Sequence, residues 1–442
     1  INSIYKVYVE GRGDVNLENN GDHSDFFWQL NSEFPKKNIL YQHHSIAEKE
    51  YLEGNGILSV GEVSGVNRKY LRSYQKPRLH RNSTFSTEAR EIEFLLSSYD
   101  LMRSNWSSFF LAHQAKVYFT WNKYYYHHMV LADAIKENGG ISAVWQMAFD
   151  GFESIECRVN ADIMFNFSKF NHEIEKRLGS SIPYSVITGY PKDYVGPLKR
   201  KQASELRAKM QAMGAEKIVF VIDENSLGDE RWHTGHELQR ENYSFILEQV
   251  LSTPWLGVVF KPKLASTLRG RLGGVAELLA SAEKTGRCYI YEDSGRYTTS
   301  APPVLAGLSA DICIHGHLSA GTAALECVLE GLPTLLIDRE GCPNSKLYEL
   351  PEGKVVFKSW PETIEAVMEH FKAPQGIPGF GDWSPIIDEL DPFRDGKAAY
   401  RIGTYLHWLI QGFEKGMERE EIMADAAERY KKQWGADKVL SI

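Results

Sequence analysis

Several functions are excluded by what this chain lacks. No apolar run approaches the roughly 20 residues that span a bilayer, and the opening INSIYKVYVEGRGD has no signal-peptide pattern, so the chain is expected on the cytosolic side. Cysteine is scarce. The five present (Cys157, Cys288, Cys313, Cys327, Cys342) are widely spaced and mostly inside apolar runs, unlike a disulfide framework or a Cys-x-x-Cys zinc site, and read as reduced core thiols. Positive charge is also short: 50 Lys and Arg against 58 Asp and Glu leave a formal charge of −8, which argues against a nucleic-acid partner. The glycines spell no G-x-G-x-x-G fingerprint, and neither a P-loop nor a G-x-S-x-G elbow occurs. Nicotinamide-dependent, kinase and hydrolase readings lose ground accordingly.

What the sequence does contain is ordinary globular material, 43% hydrophobic and 24% charged, in 442 residues. That length exceeds one core and suggests two large domains. Short β-rich apolar runs alternate with longer amphipathic stretches, the signature of parallel sheets covered by helices. Six strands are expected in the first half: Tyr5–Val9, Ile39–Gln42, Lys116–Thr120, Ala143–Ala148, Ile163–Phe167 and Tyr184–Thr188. Six more follow in the second: Lys217–Asp223, Gly257–Lys261, Cys288–Tyr291, Asp311–His315, Pro333–Asp338 and Val355–Lys358. Gly189–Pro197 reads as a linker. The division expected is 1–195 for a first Rossmann-like domain, 196–397 for a second, and 398–442 for a helical tail.

The most informative segment is Ala310–Asp338. A strand ends at His315-Gly-His317, a small-residue turn carries Ser319, Gly321 and Thr322, and a helix runs on to a Gly331 cap. Free N–H groups and hydroxyls at such a helix start favour phosphate, and Glu326, one turn deeper, could accept ribose hydroxyls. The plain alternative is that the hydroxyls merely cap the helix. At His315 and His317, either side of Gly316, no shared metal ion is expected. His233 and His236 have helical spacing but no third ligand; no metal site is expected.

Ligands in open α/β sheets gather beyond the carboxyl ends of strands. Asp223 and Glu224 end one such strand, and Lys261 and Lys263 end the next, placing carboxylates for acid, base or nucleophile work beside cations for phosphate. A strand-ending Asx turn and surface lysines are the commoner explanations. In the first half, the loop after Ala148 carries Asp150, Glu153 and Glu156, one of which could serve as general acid or base, while Trp145, Gln146 and Phe149 could shape a sugar platform or simply belong to the core. The aromatic and basic run Trp121–His128 matches no nucleic-acid module.

On Val221–Asn225, Phe260–Lys263, Ala310–Asp338 and Asp391–Gly396, mostly in the second half, the chain resembles GT-B glycosyltransferases. More narrowly it is similar to bacterial capsule and lipopolysaccharide biosynthesis proteins, including retaining β-Kdo transferases. The resemblance implies two Rossmann-like domains facing a cleft, a last helix returning to the first domain, and transfer of a sugar, Kdo from CMP-Kdo, to an oligosaccharide or lipid-linked acceptor. It implies no cofactor beyond the nucleotide sugar, and a cytoplasmic enzyme that can sit at the inner face of the membrane. It assigns Asp223 as nucleophile of a double displacement, with Glu153, ahead of Asp150 or Glu156, assisting the acceptor. Lys261-Pro262-Lys263 departs from the Lys-Pro-His-Pro-like strand end of CMP-sugar relatives, so CMP and UDP both stay open. A UDP-sugar 2-epimerase, or a non-catalytic glycan-assembly protein, is the alternative.

Overall fold

The computed structural model describes residues 4–17, 24–61, 86–151, 153–228, 235–292, 301–318, 321–341 and 345–442. Two open sheets organise the chain. The first contains β1 (Lys6–Glu10), β2 (Ile39–Gln42), β3 (Leu58–Val60), β4 (Ala115–Thr120), β5 (Ile141–Trp145), β6 (Ile163–Asn166) and β7 (Tyr184–Ile187). The second contains β8 (Lys217–Ile222), β9 (Leu256–Lys261), β10 (Cys288–Ile290), β11 (Ile312–His315), β12 (Thr334–Ile337) and β13 (Val356–Phe357). A last strand, β14 (Val439–Leu440), returns to the first sheet.

Their spatial orders are β14-β7-β6-β5-β4-β1-β2-β3 and β10-β9-β8-β11-β12-β13. Apart from β14, which runs antiparallel to β7, every pairing is parallel. Each half therefore has doubly wound topology, with the order reversing between β1 and β4 and again between β8 and β11. The reason is legible in the strands. Runs such as Lys217-Ile-Val-Phe-Val-Ile222 are apolar on both faces, as parallel strands sandwiched by helices must be, and all but the first residue is buried. All twelve expected strands are present; β3 and β14, of three and two residues, are additional edge strands.

The tail closes the first domain. Ile402, Tyr405, Leu406 and Leu409 recur at helical spacing along Ala398–Glu414 and pack with Val7, Phe119 and Phe165 of the first sheet. Gly403 permits the contact, since a Cβ there would lie 2.4 Å from the Trp28 carbonyl oxygen. Among the described residues no helix is long and apolar enough to cross a membrane.

The chain passes between domains twice, near 188–195 and 391–398, and Asp391 joins the passages. Its buried carboxylate accepts the Tyr190 N–H (2.8 Å) on Oδ2, and the Phe393 (2.8 Å) and Arg394 (3.2 Å) N–H groups on Oδ1. Gly189 lies against it with φ +87°, and a Cβ there would fall 3.0 Å from Asp391 Oδ1. Three N–H donors hold that carboxylate, so it cannot move aside cheaply. Gly189→Ala should cost about 1–2 kcal/mol for the left-handed backbone and a further ~1–3 kcal/mol for the clash. Gly331→Ala, at φ +77° with no atom nearby, should cost only the first. Urea denaturation of the two variants checks the difference.

Candidate functional site in the interdomain cleft

The cleft forms where the carboxyl ends of both sheets face one another, enclosing a cavity of about 390 Å³. From the first domain, β1 runs into Gly11-Arg-Gly-Asp14. Asp25 folds this loop into a nest: its Oδ2 accepts the N–H groups of Arg12 (2.8 Å), Gly13 (3.0 Å) and Asp14 (3.0 Å) and the Tyr41 hydroxyl (2.7 Å). Gly11 is required because a Cβ would lie 2.2 Å from that oxygen. The nest sets the Arg12 guanidinium in the cleft wall, 5.3 Å from the centre of the Trp121 ring.

The loop after β5 supplies the facing wall and reaches the second domain. Gln146 braces it, donating to Ala148 O (2.9 Å) and accepting from Phe167 N (2.9 Å). Phe149 packs within the core of the second domain, with a ring atom 3.2 Å from where a Gly321 Cβ would stand, and its N–H donates to Thr322 Oγ1 (2.7 Å). Gly151 O accepts from Lys346 N (3.3 Å), a second cross-domain bond. Asp150 lines the cavity while its Oδ2 holds Lys123 Nζ at 2.6 Å; the same ammonium is 2.7 Å from Glu175 Oε1. Burial opposes the charge on Lys123, yet the two carboxylates bind its proton more firmly than water would.

From the second domain come the strand-end residues. Asp223, 7% exposed, accepts from Gln239 Nε2 (2.6 Å) on Oδ1. Gln239 is fixed in turn, since its Oε1 accepts from Arg271 (2.7 Å) and Ser226 (2.6 Å). Among the described residues Asp223 Oδ2 and the buried Tyr243 hydroxyl each lack a partner at normal hydrogen-bond geometry, although they are close enough that the carboxylate adds to the burial that raises the phenol's proton affinity. Burial pushes the Asp223 carboxyl up to about 7. Its neighbour behaves oppositely. Burial works against a charge on Glu224 too, but His315, with Nε2 3.6 Å from Oε1, and Lys263, with Nζ 3.0 Å from Oε2, outweigh it and hold Glu224 at about 2.

Lys261, Lys263, Thr322 and Glu326 all line the cavity, together with Tyr190 and Lys192 from the first passage between domains. The Tyr190 hydroxyl donates to Glu326 Oε1, and Val304 N to its Oε2 (3.4 Å). Burial raises the affinity of Glu326 for its proton.

The expected residues thus divide. Asp150, Asp223, Glu224, Lys261, Lys263, Thr322 and Glu326 meet in one cavity. Gly321 stands just behind, as the close-approach point for Phe149, which packs with the second domain's core and also lines the cavity. Glu153 does not join them: it pairs with Arg177 on the helix Lys169–Arg177, which holds its carboxyl below the usual range, and among the described residues the first-domain carboxylate lining the cavity is Asp150. His315 and His317 do not line the cavity either. His315 backs Glu224, and His317 Nδ1 lies 3.1 Å from Glu340 Oε1. Ser319, His233 and the Glu156 side chain lie outside the described residues. His236 Nδ1 is hydrogen-bonded to Ser226 Oγ (2.7 Å). Two cations escaped the residue-by-residue reading, Arg12 and Lys192. Arg12 directly follows the central strand β1 at the switch point, a signal the strand-end rule could have used; Lys192 sits in the linker and had none.

Fold and site together define a GT-B-like molecule, two doubly wound domains with a charged cleft between them. No family model and no curated protein matches the sequence. Among solved structures, the chain is similar to a putative UDP-N-acetylglucosamine 2-epimerase from Listeria monocytogenes, at 12% identity over 86% of this chain and 89% of that one, TM-score 0.49. HepE from Anabaena, solved with UDP and glucose, is similar at 12% identity over 97% and 99%, TM-score 0.46. Sucrose-phosphate synthase from Thermosynechococcus elongatus follows at 10% over 98% and 100%, TM-score 0.45. Likenesses this distant carry no chemistry, which rests on the residues of the cleft.

The burial of Asp223 has a thermodynamic signature. Its carboxyl moves from an ordinary 3.8 to about 7 in the fold, so between those values the folded state binds more protons than the unfolded one. Its contribution to stability therefore falls as pH rises from about 4 to 7 and is level above, a loss on the order of 4 kcal/mol. Asp223→Asn should remove that slope and leave the variant more stable than the parent at pH 8. Denaturant titrations at pH 5 and pH 8 measure it; a parallel slope in both proteins would refute the burial argument.

Proposed function

We propose that the protein is a glycosyltransferase that binds a nucleotide sugar in this cleft and passes the sugar to a glycan acceptor. One observation carries the reading. Arg12, Lys192 and Lys261, drawn from the first domain, the passage and the second domain, converge on one cavity with the first turn of the helix Thr322–Leu329 and with Glu326. Cations and a helix start suit a phosphate or diphosphate, and a deep carboxylate suits ribose hydroxyls. The volume falls within the roughly 300–1,000 Å³ of small-ligand sites.

In the reaction the donor's phosphate lies among the three cations. The Asp223 carboxylate attacks the anomeric carbon, a carbon–oxygen bond to the nucleotide phosphate breaks, and the departing anion is stabilised by charges already in place. The acceptor hydroxyl then displaces Asp223, giving its proton to Asp150. CMP-Kdo is the first donor to test, because Asp223 matches the nucleophile position of the retaining β-Kdo transferases the sequence resembles, in the setting of capsule or lipopolysaccharide assembly. UDP-sugars come second, since Lys261-Pro262-Lys263 replaces the histidine motif of CMP-sugar relatives.

A thermal-shift screen with CMP, UDP, GDP and CDP tests the donor site. We expect stabilisation by one of them, and at least a ten-fold weaker response in Lys261→Ala. Product analysis then separates reactions: a transferase releases nucleotide with a lengthened glycan, whereas conversion of a UDP-sugar without acceptor would make the protein an epimerase. Asp223→Asn should lower transfer at least a hundred-fold, and the parent's rate should climb with pH as Asp223 loses its proton near 7. Full transfer by Asp223→Asn would remove it from the chemistry.

A further inference from the structure

A second concavity, about 550 Å³, opens on the first domain and has no part in the reaction above. Tyr124, Tyr125, Tyr126, Ile155, Arg158 and Asn160 are among its walls. Tyr125 and Tyr126 are 66% and 65% exposed and Ile155 69%, a cluster of large side chains held in water with no described neighbour covering them. The tyrosines stand on a fixed backbone. Asn122 N donates to Thr120 Oγ1 (2.9 Å), Tyr124 N to Asn122 Oδ1 (3.3 Å), and His128 Nδ1 is hydrogen-bonded to Tyr125 O (2.6 Å).

The groove and the cleft share a wall. Lys123 lines the groove, and its ammonium holds Asp150, which lines the cleft, at 2.6 Å. Trp121, two residues earlier, lies under Arg12 of the cleft. A ligand filling the groove therefore lies one ion pair away from Asp150, the carboxylate on the acceptor side.

Its chemistry follows from the walls. Tyrosine offers an apolar ring and a polar hydroxyl. Arg158, exposed and without an ion-pair partner among the described residues, adds donors on the same surface. Alternating apolar and hydroxyl-bearing surface is what a chain of pyranose rings presents, with C–H faces and hydroxyl rims; a lipid tail would match the rings and leave the arginine and asparagine unanswered. We infer that this groove binds the non-reacting sugars of an oligosaccharide acceptor and delivers its terminal hydroxyl past Lys123 to Asp150. The inference rests on the transferase reading for its direction, and its binding test is independent of it.

Saturation-transfer NMR with cellohexaose, chitohexaose and hexagalacturonate, each against its monomer, is the experiment, with octyl glucoside as the lipid-like probe. At least one hexamer should bind the full chain ten-fold or more tighter than its monomer, with saturation on ring protons. Tyr125→Ala/Tyr126→Ala, both exposed enough to spare the fold, should lower that binding at least ten-fold and leave the nucleotide-induced thermal shift as in the parent. Hexamers that bind no better than monomers, hexamer binding undiminished in the double variant, or saturation confined to the octyl chain would overturn the inference. The two readings fail separately: no nucleotide shift with hexamer binding intact sinks the donor site alone, while a nucleotide shift without hexamer preference sinks the groove alone.

Discussion

The arrangement of the two domains depends on one buried carboxylate. Asp391 takes three backbone N–H groups from the two passages of the chain, and a cleft between two sheets has a defined width only if those passages are fixed. Arg401 reinforces the joint, donating to Thr188 O (3.2 Å) and to both Asp395 oxygens while lying 3.6 Å from the Phe393 ring centre. So much anionic character in one place has a consequence. Burial, with Asp391 and Asp395 close by, pushes Asp193 up to about 8, so at neutral pH this carboxyl keeps its proton and adds no repulsion at the joint.

From that joint the cleft is closed at a second point, the loop after β5. Phe149 is inserted in the second domain's core, its N–H is bound by Thr322, and Gly151 O is bound by Lys346 N. The loop thus ties the carboxylate it carries, Asp150, to the same helix start that faces the cavity. Any shift of one domain against the other must break either these bonds or the Lys123–Asp150 pair. Rigid placement of groups from two domains on one ligand is what orientation-dependent catalysis needs.

How much of this was legible in the sequence follows from the range of each signal. Strands are local, and apolar runs such as that of β8 identified twelve of the fourteen; β3 and β14, at the edges of the first sheet, are defined by pairing rather than by pattern. Asp223 and Lys261 were readable because the strand-end rule needs only the strand, and Glu326 because it lies one turn into the helix Thr322–Leu329. Among Asp150, Glu153 and Glu156 the choice depended on partners elsewhere in the chain. Arg177 takes Glu153 out of the cleft, and Lys123 pins Asp150 within it. Lys192 became relevant only once the passage between domains lay against the cavity.

Two adjacent residues show most clearly how environment sets like groups apart. Asp223 and Glu224 leave the same strand, yet one is met by an amide and the other by an imidazole and an ammonium. Burial acts on both in the same direction, so the partners decide: Glu224 is held at about 2 and stays charged, while Asp223 rises to about 7 and exchanges its proton at neutral pH. Carboxyls whose environments push their proton affinities apart are the mark of a divided role. Glu224 keeps Lys263 and His315 in place as a constant counter-charge. Asp223 alone of the pair exchanges its proton near neutral pH, and it stands on the wall where the cations of both domains converge.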